Sequence, residues 1–139
     1  MVRRLDKEQV IADLNEILTL EYTAVLQYTY ESMVVKGLDS PRFIAMFQGE
    51  AAESLLHAQL VGTKIVALGG IPTTEAGAIN PATGLRALLD FNLGMERKAV
   101  ELYTRALDHA GEDIPLRNLL ETQIATEKAS VEALERLLG

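Results

Sequence analysis

Four side chains of the kind that hold metals or move protons interrupt apolar stripes of helical spacing in this chain. Glu21 falls within Leu14, Leu18, Val25 and Tyr28. Glu96 falls within Leu85, Leu89, Tyr103 and Leu107. His57 lies between Phe47 and Val61, and Glu127 between Leu120 and Leu134. An isolated carboxylate taken out of water costs several kcal/mol even after relaxation. Three facing one another must be protonated, paired with a base or neutralised by a cation. Lys64, Arg97, Lys98, Arg105 and Lys128 fall mostly off the stripes, which leaves a bound metal as the economical counter-charge.

Each residue also has an ordinary account. A lone Glu on an apolar stripe is more often a rim residue whose stem reaches water. A lone inward His is more often a hydrogen-bonded interior residue than a ligand. Tyr28 and Tyr103 read first as core aromatics with the hydroxyl tied to a neighbour. His109, in the last turn of its helix beside Gly111, is accounted for by the helix dipole. What favours a site is convergence, with one polar group at a similar depth on each of four helices.

The elements that must position these groups are long and widely punctuated. Asp6 and Gln9 resemble a capping box, and apolar positions then recur at helical spacing as far as Gly37. Ser40 and Pro41 supply an N-cap and a first-turn proline for a second helix. Its stripe of Phe43, Phe47, Leu60, Val61, Ile65 and Leu68 ends at Gly69 and Gly70. Gly69 to Thr83 has no period. A third helix runs from about Thr83 to Ala110, and Asp113 with Pro115 opens a fourth that reaches almost to Gly139. Two short links force antiparallel hairpins, and the long link between the second and third helices can run the length of a bundle. The fold class expected is all-α: one antiparallel four-helix bundle over residues 1–139, with one long crossover. The segments EYTAVLQY (Glu21 to Tyr28) and ERKAVELY (Glu96 to Tyr103) share Glu, Ala, Val and Tyr at the same offsets, as if the hairpin were duplicated about a pseudo-twofold axis.

Composition removes several alternatives. The 139 residues include no cysteine, which excludes thiol nucleophiles, iron-sulfur clusters and disulfides. A net charge of -7 repels phosphate backbones and anionic lipid, so nucleic acid is not an expected partner. Arg3 and Arg4 are followed by no apolar signal-peptide core, and no apolar run approaches the roughly 20 residues a membrane helix needs. The expectation is a cytoplasmic protein without a membrane partner.

The run LNEILTLEYTAVLQY, Leu14 to Tyr28, resembles the first helix of bacterioferritin and the wider ferritin-like proteins, and LGGIP, Leu68 to Pro72, falls at that family's spacing after the second-helix histidine. The resemblance implies a metal ligand at Glu21 and a tyrosine, Tyr28, beside the metal centre. The family's di-iron pattern takes one Glu from each of two helices and Glu-x-x-His from each of the other two. Carried over, the lone glutamates are Glu21 and Glu96, while each paired motif is half intact: Ser54 with His57, and Glu127 with Ser130. Two ions held close together need shared carboxylates, so one ion is easier to hold here. Glu21, His57, Glu127 and Glu96 would make a one-His, three-carboxylate site suited to Fe(II) or Mn(II) and tolerable for Zn(II). Glu53, one turn before His57 and about 40° around the helix from it, is a compensating ligand candidate. Glu50 is about 10.5 Å from His57 along the axis, too far to share its metal, and would line an access path or hold a second ion.

The family's haem-bearing members use a Met where Leu55 stands, so haem is not expected. The chain stops at Gly139 without the short fifth helix of the large cages, and the expected assembly is a homodimer or higher homo-oligomer rather than a storage shell. Two functions follow. One is a ferritin-like iron-binding protein that oxidises Fe(II) with dioxygen or peroxide beside Tyr28. The other is a degenerate, non-catalytic bundle that serves as a structural or protein-interaction module, favoured by Ser54 and Ser130.

Overall fold

The computed structural model describes residues 4–139, so Met1, Val2 and Arg3 of the N-terminal reading lie outside the described residues. Four helices make the fold: α1 (Lys7–Val34), α2 (Ser40–Ala67), α3 (Leu85–His109) and α4 (Ile114–Leu138), with no strand among the described residues. α1 packs along α2, α3 along α4, and α1 along α3, whereas the backbones of α2 and α4 do not close on one another to the same degree. None of the helices is long and apolar enough to cross a membrane among the described residues.

The helix ends follow local chemistry, with two departures from expectation. Asp6 caps α1 by accepting from the Gln9 amide at 3.3 Å, but the Gln9 side chain does not reach back to the cap; it donates to Asp13 at 2.9 Å. At α2 the cap position belongs to Asp39, which makes no side-chain cap bond, and Ser40 is already helical. Pro41 is tolerated in that first turn because its missing N–H has no helical acceptor there. α2 ends in a Schellman motif: the Gly69 amide donates to Val66 and the Gly70 amide to Ile65, both at 2.9 Å. The motif needs a left-handed residue at Gly69, whose φ is +90°. Asp113 caps α4 through the Leu116 amide at 3.0 Å.

The crossover from α2 to α3 has no regular structure, and α1 supplies the partners its backbone would otherwise lack. Asn15 accepts from the Thr73 amide at 2.8 Å and donates to the Ile71 carbonyl at 3.2 Å. Thr23 accepts from the Gly77 amide at 2.7 Å, Gln27 accepts from the Asn80 amide at 2.7 Å, and the Tyr30 hydroxyl donates to the Pro81 carbonyl at 2.6 Å. One face of α1 is thus a polar rail that holds the long link in an extended path.

Two apolar clusters fill the interior. Val10, Leu14, Leu18, Val61, Ile65, Leu102 and Leu120 pack at one end, and Phe43, Phe47, Leu88, Leu89 and Leu134 at the other. Leu60, read as inward from the sequence, is 45% exposed, because it sits a third of a turn off the line set by Val61 and Ile65. His109, for which the helix dipole was account enough, has a specific partner: its Nδ1 lies 2.7 Å from the buried Asp13 carboxylate. Between the two clusters the interior turns polar.

Candidate metal centre

The polar layer is built by one helical turn from each element. Glu21 on α1, His57 on α2, Glu96 on α3 and Glu127 on α4 are all buried, none exposing more than 9% of its surface. His57 Nδ1 lies 3.0 Å from Glu21 Oε2 and 3.7 Å from Glu127 Oε1. One ligand atom from each of Glu21, His57 and Glu127 falls within 4.8 Å of the others, close enough for a single cation to touch all three.

Two tyrosines hold the carboxylates from the opposite half of the bundle. Tyr28 of α1 donates to Glu96 of α3 at 2.5 Å, and Tyr103 of α3 donates to Glu21 of α1 at 3.3 Å. Each tyrosine stands seven residues after the glutamate of its own helix and bonds the glutamate of the other. The repeated segments therefore meet as a reciprocal pair, as a pseudo-twofold axis requires. The symmetry breaks on α2 and α4, where one helix keeps the imidazole and the other the carboxylate.

Electrostatics describe a crowded site. Burial raises the Glu21 pKa, against the bond and charge of His57 that lower it. Burial likewise pushes Glu127 far above the carboxylate range, reinforced by its hydrogen bond to Glu96 and by the charges of Glu96, Glu21 and Glu50. For His57 burial works against the charged form, but the bond to Glu21 and the nearby charges of Glu21, Glu53 and Glu96 outweigh it, and its pKa is raised. The raised values favour a proton on His57 against Glu21 and on Glu127 against Glu96. Burial, with the Glu96 charge, raises the Tyr28 pKa, so the hydroxyl keeps its proton.

The remaining sequence candidates lie at the margin. Glu53 is exposed and stands outside the cluster, acting on His57 as a charge only; its offset around α2 turns it to the surface. Ser54 is buried on α2, and Ser130 is half-buried on α4. Glu50 is half-buried, and burial with the charges of Glu96 and Glu53 raises its pKa to about 7. Leu55, at the position considered for haem, is 48% exposed.

A second polar group, absent from the sequence reading, lies one to three turns further along α1. Glu31 is fully buried and accepts from Gln27 at 2.8 Å and from Asn92 at 2.7 Å. Gln123, one turn before Glu127, is also buried, and its Nε2 has no hydrogen-bond partner among the described residues. Glu31 carries the same mark as Glu21, a charge three residues after Tyr28 on the α1 stripe, whereas Gln27, Asn92 and Gln123 carry no charge to mark them.

Four long helices, one extended crossover and a buried carboxylate and imidazole layer define a ferritin-like bundle with a candidate metal site. The family model of the ferritin-like domain matches residues 11–139, and the chain belongs to that family. It is 29% identical over 134 residues to a bacterial ferritin of Pseudomonas aeruginosa, an alignment that covers 94% of this chain and 87% of that one. Among solved structures it superposes on a ferritin-like, diiron-carboxylate protein of Bacillus anthracis with a TM-score of 0.90 and 30% identity, covering 96% of this chain and 98% of the other. A dodecameric thioferritin of Bacteroides fragilis, a bacterioferritin-related protein, follows with a TM-score of 0.88, 26% identity and coverage of 96% and 86%.

Proposed function

We propose that the chain binds Fe(II) inside the bundle through Glu21, His57 and Glu127, with Glu96 completing the donor set, and that the bound iron is oxidised by dioxygen or peroxide. The observation that carries the reading is the meeting of three ligand atoms from three helices within 4.8 Å in a buried layer. The donor chemistry fits one divalent ion: one imidazole nitrogen and carboxylate oxygens that cannot all be ionised without a counter-charge. Mn(II) and Zn(II) satisfy the same donors. Ser54 and Ser130 bring neither a carboxylate nor an imidazole to the positions a second ion would use.

Bound iron supplies the electron that reduces the oxidant, and carboxylate donors favour the ferric product. The chain's own part is proton handling and positioning. Glu127 and His57 must each give up a proton before they can act as ligands, so metal uptake releases protons and tightens as pH rises. Tyr28 fixes one Glu96 oxygen through its hydrogen bond, and Tyr103 does the same for Glu21. With Leu55 offering no thioether, the reading is iron without haem.

The same reading includes a cytoplasmic homo-oligomer. A shallow apolar groove where α1 meets α2, lined by Tyr22, Leu55 and Val66, supports association of like chains, and the Bacteroides fragilis relative is a dodecamer. A non-catalytic bundle remains the second reading, favoured by the two serines.

Elemental analysis of protein prepared with iron separates them. About one ion per chain is expected, lost in the Glu21→Ala, His57→Ala double variant; metal retained by that variant overturns the proposal. Restoring Ser54→Glu with Ser130→His is expected to raise the rate of Fe(II) oxidation.

A further inference from the structure

A cavity of about 400 Å³ opens along the seam where the α2 and α4 backbones stay apart. Met46 and Glu50 form its α2 wall, and Leu134 and Leu137 its α4 wall. Its inner end reaches Tyr28 and Asn92. The room comes from side-chain size: α4 presents Ala129, Ser130 and Ala133 to the seam, so no bulky group bridges to α2. The volume lies at the lower end of the roughly 300–1,000 Å³ typical of ligand pockets, which sets the occupant's size at that of a small molecule.

The buried end of the cavity presents an acceptor that calls for a donor. Asn92 is fully buried and its Nδ2 donates to Glu31 at 2.7 Å, while its Oδ1 has no hydrogen-bond partner among the described residues. A buried acceptor without a partner is uncommon in a native fold and disfavours the structure until something donates to it. Glu50 adds a second acceptor at the wall. Two of the nearby donors are engaged, Tyr28 with Glu96 and the Thr126 hydroxyl with the Thr122 carbonyl at 3.1 Å, and the Ser130 hydroxyl on the α4 wall can either donate or accept. A carboxylate ligand would meet Glu50 and the net charge of -7. We propose that this seam binds a small, largely apolar molecule through a hydrogen-bond-donating end, an alcohol or amine, with the donor directed to Asn92. Tyr28, Glu50 and Ser130 border the metal layer, but none of Glu21, His57, Glu96 and Glu127 lies in the walls. The inference therefore stands or falls separately from the iron reading.

The test uses the metal-free full chain at pH 8, titrated by amide NMR with benzyl alcohol, benzylamine and anisole. Anisole is an isomer of benzyl alcohol that lacks the O–H. The alcohol and the amine are expected to shift amides of α4 between Thr126 and Leu137 in a saturable way and to bind at least about tenfold more tightly than anisole. Ala133→Phe, at an exposed position on the rim, should abolish all three titrations while leaving the fold intact. Asn92→Leu should reduce the alcohol to the affinity of anisole. Equal binding of anisole and benzyl alcohol to the unaltered chain overturns the proposal, as does saturable binding that Ala133→Phe leaves unchanged, or no saturable shift at all.

Discussion

The bundle contains two buried carboxylate layers that surround their charge with different partners. Around Glu31 the neighbours are amides: Gln27 and Asn92 each donate an N–H, and the layer is tied through Gln27 to Asn80 of the crossover. Around Glu127 the neighbours are other carboxylates, with a single imidazole among them. Both layers lie in the same interior, so depth does not decide which is a site. A carboxylate supplied with fixed dipoles can stay where it is without a guest. Carboxylates supplied mainly with one another hold protons that a metal can displace.

The sharpest way to break this contrast is to remove ligands from the second kind of layer and measure binding. His57→Ala deletes the only nitrogen donor of the cluster and should weaken Fe(II) or Mn(II) binding by at least about a hundredfold, the upper end of what loss of even an outer-shell partner costs. Anaerobic calorimetry measures it. Glu31→Gln, measured beside it, should leave that affinity within about twofold. If Glu31→Gln weakens metal binding as much as His57→Ala, the two layers are one unit and the contrast fails.

Thermal denaturation gives the next largest effect. Metal at about a hundred times its dissociation constant should stabilise the chain by about 2.7 kcal/mol. In metal-free protein, Glu127→Gln should leave stability unchanged or raise it, since it removes a carboxyl that must otherwise stay protonated beside Glu96. The same variant should lose most of the metal-dependent gain. A metal-free Glu127→Gln chain markedly less stable than the parent would mean that the carboxyl serves the fold as it stands.

How far the sequence disclosed these two layers depends on what kind of signal each leaves. Glu21, Glu96 and Glu127 were legible because a charge on an apolar stripe violates the pattern, and the repeat EYTAVLQY/ERKAVELY already held the offset by which Tyr28 and Tyr103 cross to the opposite glutamates. The helices and the crossover were legible from glycine and proline spacing. Glu53 misled because a helix period locates a residue only to within tens of degrees, and His57 itself sits at the edge of the buried face with 9% exposure. Glu31 shows the same violation three residues after Tyr28, but the partners that set it apart come from tertiary packing: Asn92 lies 61 residues away, and nothing in either local segment announces the pairing. The polar rail on α1 escaped for the same reason, since Asn15, Thr23 and Gln27 look like solvent-facing residues until the crossover lies on them.

The smallest predicted effect tests the quieter layer alone. Burial raises the Glu31 pKa from 4.5 to about 7, with the Asn92 and Gln27 bonds opposing the shift. The folded chain therefore binds more protons here than the unfolded chain between those values, and stability falls as pH rises through that window and levels off above it. Glu31→Gln removes the titration. Its carboxamide keeps an acceptor for Gln27 and, once Asn92 rotates its amide, donates to the Asn92 Oδ1 that otherwise has no partner among the described residues. Chemical denaturation should show Glu31→Gln more stable than the parent by about 1–2 kcal/mol at pH 8, with the difference vanishing near pH 4.5, where the parent carboxyl is protonated when folded. A gain of the same size at both pH values would trace the stabilisation to packing, and the amide-fed layer would then carry its charge at no measurable cost.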